Sequence, residues 1–103
     1  MNTIGTFRLE GKNYVGTVNT LTYSGPLSIE PNTSPKSDDS PNFYAYGGRN
    51  RTQMGAGWSG VSEESGNSYV SVRLDDPSFP APINARLVQF KGEDVYRLVW
   101  SRS

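Results

Sequence analysis

Glycine and proline punctuate this chain so densely that no stretch is left in which a helix could run. Its eleven Gly and seven Pro interrupt every window long enough to repeat apolar residues at helical spacing. Between them lie short runs rich in Val, Thr, Tyr and Ile, the residue types that pack well on a pleated surface. Such a chain folds as strands and turns.

The runs can be placed one by one. Thr3 to Leu9 and Tyr14 to Tyr23 read as a hairpin around Glu10-Gly11-Lys12-Asn13, because Gly and Asn tolerate the positive φ of tight turns. Leu27-Ser28-Ile29 is a short third strand, and Phe43 to Tyr46 a fourth that stops at Gly47-Gly48. Gln53 to Ser59 is strand-like, with Met54, Ala56 and Trp58 on one face and two glycines baring the other. Ser68 to Leu74 alternates cleanly, Val70, Val72 and Leu74 against Tyr69, Ser71 and Arg73, which marks a half-buried strand. Ile83 to Phe90 and Val95 to Ser101 form a closing hairpin. Residues 30–42 are polar and Pro-rich with no large apolar side chain, so they read as a mobile loop that cannot bury enough to order itself. The fold class is therefore all-β and mainly antiparallel, a small barrel or sandwich of about 7–8 short strands, with little or no helix.

At 103 residues the chain makes one domain, 1–103, with one modest core. It has no Cys and no His. Disulfides, thiol nucleophiles and Cys-ligated metals are excluded, and the usual neutral-pH base is missing. The reading is no enzyme, no cofactor and no metal site. Ten basic and ten acidic residues cancel, with a pI near 6.2, which argues against a protein that is basic all over. No apolar run approaches the roughly 18–20 residues of a membrane span, and the first residues lack a basic and apolar leader pattern. The expectation is a cytoplasmic protein with no membrane partner.

Two groups of residues stand out. Arg49, Asn50 and Arg51 follow Tyr44 and Tyr46; basic and aromatic side chains in company are a partner-binding pattern, for protein or for single-stranded nucleic acid. Arg outnumbers Lys seven to three, which suits interfaces and bidentate contacts. The second group is Asp75-Asp76-Pro77-Ser78-Phe79-Pro80-Ala81-Pro82. Adjacent acids on extended chain point apart, so Asp75 and Asp76 read as a turn cap at Pro77 and an ion pair with a nearby Arg rather than as a catalytic pair. Phe79 between prolines reads as a plug for the barrel end, with a stiff recognition strip as the other reading. The acid pairs at 38–39, 63–64, 75–76 and 93–94 fall mostly at turns, whereas Arg8, Arg73, Arg86 and Arg97 fall on strands. A net charge of zero would hide a basic surface if the fold gathers those strands on one side.

The opening Ile4-Gly5-Thr6-Phe7, the segment Gly16-Thr17-Val18-Asn19-Thr20-Leu21, and above all Tyr69 through Ile83 (Tyr-Val-Ser-Val-Arg-Leu-Asp-Asp-Pro-Ser-Phe-Pro-Ala-Pro-Ile) resemble the Domain of Unknown Function family 736, and Leu98-Val99-Trp100-Ser101-Arg102 resembles its ending. The likeness runs nearly end to end. It departs from the pattern between Tyr23 and Trp58, where Ser24-Gly25-Pro26, Asn42 and Tyr44 are atypical, and at Asn84. The resemblance implies a small proteobacterial protein encoded near conjugative-transfer genes on plasmids and integrated elements, and no established biochemistry. Together with the missing catalytic groups it leads to a non-catalytic binding protein of a mobile genetic element. This protein would act through protein–protein contacts and inhibit a host defence complex such as a nuclease complex, as anti-CRISPR and anti-restriction proteins do. The alternative is a nucleic-acid-binding accessory factor in conjugative transfer. Homodimer formation through an edge strand is a further expectation.

Overall fold

Alternating Gly-bounded strands wind up and down around a single axis and close on themselves in the computed structural model, which describes residues 2–20, 23–48, 50–64, 66–77, 79–90 and 92–100. Among these the strands are β1 (Asn2–Glu10), β2 (Asn13–Asn19), β3 (Ser24–Pro31), β4 (Phe43–Gly47), β5 (Thr52–Val61), β6 (Ser68–Leu74), β7 (Ile83–Gln89) and β8 (Tyr96–Trp100). Each pairs antiparallel with the next, and β8 returns to β1, so the sheet is a closed barrel in simple meander order. Closure decides between the barrel and the sandwich. In the closed sheet every described strand has a neighbour on both sides.

Side chains alternate in and out along most of the strand length. Phe7, Val18, Leu27, Ile29, Val72, Leu74, Leu87 and Leu98 are essentially inaccessible and fill the interior. Arg8, Arg73 and Arg86 face outward and are exposed. This apolar interior under a charged exterior is the reverse of a lipid-facing barrel wall. Among the described residues no helix is long and apolar enough to cross a membrane.

A barrel this narrow cannot seat a large residue at every inward position, and glycines make the room. The register sets Gly16 opposite Phe7, and Gly55 and Gly57 opposite Leu74 and Val72. The bare face of β5 is thus the interior one, and Ala56 and Trp58 lie outside. Met54 is nevertheless buried, because the register slips beside it, between Ala45 and Tyr46, as a bulge does.

Other boundaries move as well. β2 ends at Asn19, and Ser24-Gly25-Pro26 already belong to β3. The inward residues of β2 are Tyr14, Gly16 and Val18, while Val15 is 37% exposed. The polar loop begins after Pro31. Its backbone and side chains are tied back by hydrogen bonds: Asn32 N–H donates to Asn42 O (2.8 Å), Asn42 N–H to Gly57 O (2.9 Å), and Ser59 N–H to Asn42 Oδ1 (2.9 Å).

The two barrel ends differ. At the end where β6 passes to β7, Phe79 is 8% exposed and belongs to the core cluster. Its segment is held by Asp75 N–H to Met54 O (2.7 Å) and Phe79 N–H to Asp76 O (2.8 Å). The opposite end, reached by the loops after β1, β3, β5 and β7, carries an open cleft.

Candidate functional site

The Tyr44–Arg51 group comes together only in part. Tyr44 and Tyr46 sit on the outer face of β4, opposite Glu30 and Ser28 of β3. Arg51 follows in the β4–β5 turn with φ 52°, a left-handed conformation uncommon outside glycine. Its guanidinium lies 5.1 Å from the Tyr46 ring centroid and 2.6 Å from Glu30 Oε2. Asn50 is exposed, and Arg49 lies outside the described residues. The Arg51 charge is therefore matched by Glu30. Glu30 lies on another strand, more than a loop away, and no local signal announces the pairing.

The ion pair has a testable signature. The Arg51 hydrogen bond first, and the Ser28 hydroxyl second, hold the Glu30 carboxyl below its ordinary value. A depressed carboxyl stabilises the turn at neutral pH, and the contribution is lost as pH falls through the folded-state value. Followed by NMR, Glu30 is expected to titrate below the ordinary value of about 4.3, and Arg51→Ala to bring it back. An unchanged midpoint in the variant contradicts the pairing.

Asp75 is exposed and makes no ion pair among the described residues, contrary to the Arg partner expected for it; the ion pairs there are Arg51–Glu30 and Arg97–Glu93. Asp76 is half-buried. The two do not form a metal cluster, and no group of three or more ligating side chains occurs among the described residues.

The barrel assembles a different surface. Arg73, Arg86, Arg97 and Arg8 fall on β6, β7, β8 and β1, four consecutive strands. The register carries them around one wall: Arg73 opposite Asn84, Arg86 opposite Ser71, and Arg97 opposite Thr6. Ser68–Leu74, Ile83–Gln89 and Tyr96–Trp100 contain no Asp or Glu. Arg8, Arg73 and Arg86 make no ion pair among the described residues. Arg86 stacks on Tyr69, 4.5 Å from its centroid, and Trp58, 38% exposed, faces outward opposite Ser71. Arg97 is bound to Glu93 (2.8 Å) and lies 5.3 Å from the Phe90 ring. The acids sit at the rims instead: Glu63-Glu64 and Glu93-Asp94 at one end of the wall, Asp75-Asp76 at the other.

At the open barrel end, a cleft of about 560 Å³ is walled by the aromatic trio Tyr14, Phe43 and Tyr96. Tyr14 meets Phe43 edge-on at 5.8 Å and Tyr96 at 5.0 Å. Burial, and secondarily the nearby Tyr96, push the Tyr14 hydroxyl up, so it is a neutral donor at ordinary pH. In sequence Tyr14 falls on a parity that could be exposed; the register turns it inward, beside Gly16 and Val18.

Comparison with curated proteins and with solved structures gives no match. A family model does match, over residues 3–103, and the chain belongs to that family, described as protein of unknown function (DUF736).

Proposed function

We propose that this protein is a non-catalytic binding module that grips an acidic patch on a protein partner with the outer wall of β6, β7, β8 and β1. The observation that carries the reading is the band of arginines on four neighbouring strands, free of strand acids except Glu10 at the end of β1. Arginine is the side chain suited to bidentate contact with carboxylates, and Tyr and Trp beside it are interface anchors.

The shape of the charge favours a protein over a nucleic acid. The band is as wide as the strands are long, seven residues or about 23 Å on β6, and acids border it at both ends. A positive centre with a negative rim complements a compact acidic patch with a basic surround. A long polyanion extending past the band would meet the acidic turns. Blocking a host defence complex is the role we propose for such a contact, in keeping with the mobile-element setting that the resemblance implies. A second reading, single-stranded nucleic acid, draws on Trp58 and Tyr69, whose rings offer stacking faces for bases.

The double variant Arg73→Glu/Arg86→Glu tests the site. Both residues are exposed, so the change in stability is expected to stay small: about 0.5 kcal/mol for each exchange and about 0.5–1 kcal/mol more for the lost Arg86 stacking on Tyr69. Like charges facing an acidic patch cost several kcal/mol, roughly a hundredfold or more in affinity. The wild-type protein is expected to retain a saturable partner from host lysate after nuclease treatment, and the variant to lose it. A partner held equally by both, or released by the nuclease, overturns the protein reading.

A further inference from the structure

We propose that the open mouth of the barrel binds a small, uncharged aromatic molecule with a hydrogen-bonding edge. The site lies at the barrel end and borders the arginine wall at Tyr69, Phe90 and Glu93, but its aromatic trio and floor face into the barrel, so the proposal does not depend on how the outer wall is used. Its volume, about 560 Å³, falls in the range of small-molecule pockets, and eight-stranded barrels are wide enough at the mouth to hold one small ligand.

The lining selects the ligand chemistry. Tyr14, Phe43 and Tyr96 are half-buried and meet edge-to-face, a geometry that a further ring joins by stacking or by its edge. Leu87 and Val70 close the floor. The Tyr14 and Tyr96 hydroxyls have no hydrogen-bond partner among the described residues, nor is either oxygen sealed from the surface. They are thus able to donate to, or accept from, a ligand edge. Charge is absent in effect. The one charged residue of the described lining is Glu93, and Arg97 occupies its carboxylate through Nε (3.1 Å) and Nη2 (2.8 Å). A free cation or anion would find no unmatched counter-charge here, whereas a neutral ring would find stacking faces and two hydroxyls. The rim is held in place by Gln89 Nε2, which donates to Glu93 O at 2.9 Å.

Indole is a suitable probe, titrated into the full chain and followed by two-dimensional amide NMR. Saturable shifts are expected at Ser68, Val70, Gln89 and Gly92, around the mouth. Cyclohexanol, an aliphatic alcohol without a ring face, is expected to bind much more weakly. Tyr14→Phe/Tyr96→Phe keeps both rings and removes both hydroxyls; two lost hydrogen bonds lower affinity about tenfold. Ser59→Trp, at an exposed inward position of the mouth, is expected to fill the cleft and abolish the shifts. If that variant loses its dispersed spectrum, the double Phe variant decides alone. The proposal is overturned by the absence of saturable shifts, by shifts centred elsewhere, by equal binding of cyclohexanol, or by unchanged affinity in the variants that fold.

Discussion

Phe79→Ala is expected to destabilise the protein by about 3 kcal/mol, at the lower end of the usual range for truncating a buried Phe. For a domain of this size that lowers Tm by roughly 12–24 °C. The reason is position rather than residue type alone. The β6–β7 connection contains Pro77, Pro80 and Pro82 and so contributes few backbone donors. Phe79 is the side chain through which that connection reaches the core, at 8% exposure. Removing the ring opens the barrel end and takes away the segment's apolar anchor, leaving backbone contacts such as Asp75 N–H to Met54 O. Asp75→Ala makes the control: its side chain is exposed and makes no ion pair among the described residues, so thermal denaturation is expected to shift little. Equal effects from the two substitutions, or a small effect at Phe79, would show that the segment is not a plug.

Gly16→Ala is expected to cost about 3 kcal/mol, and Gly11→Ala about 1, although the second glycine is the one with a positive φ. At Gly11, in the β1–β2 turn, φ is 64° and nothing lies within 4 Å of an added Cβ; the cost is the left-handed backbone alone. At Gly16 a Cβ would run into the carbonyl oxygen of Thr6 and approach Phe7 Cα at 2.8 Å and Cγ at 2.9 Å. Those obstacles are backbone atoms of the paired strand and the root of a core ring. They cannot swing aside, so the β1–β2 ladder itself has to shift, at the upper end of overpacking penalties. Chemical denaturation of both variants measures the order. If Gly11→Ala proves the more damaging, conformational freedom and not close approach governs glycine use in this barrel.

Strand content was legible because its signal is local. The alternation of Val70, Val72 and Leu74 places their side chains inward wherever β6 ends up, and Gly-bounded runs end where turns require it. Which face of β5 is interior was not legible. Large residues ordinarily mark the buried face, but here Gly55 and Gly57 face Leu74 and Val72, because a narrow barrel balances big inward side chains on one strand against none on its neighbour. The site followed similar lines. Arg51 looked available beside its tyrosines, yet its partner Glu30 sits on another strand and meets it only after β3, β4 and β5 are in register.

By itself the sequence determined the all-β class, most of the turns, the family, and the separation of acids onto turns and arginines onto strands. These follow from φ preferences and period-two patterning, which act over a few residues. The tertiary structure alone decided that β8 closes on β1, that one barrel end is filled while the other stays open, and that four arginines share a wall. Each of these depends on which strands become neighbours. Neighbourhood is set by closure of the whole sheet, through contacts between residues as distant as Gly5 and Leu98. The zero net charge is consequently uninformative about the surface: it averages an arginine band with acidic rims that only the barrel sorts into separate places.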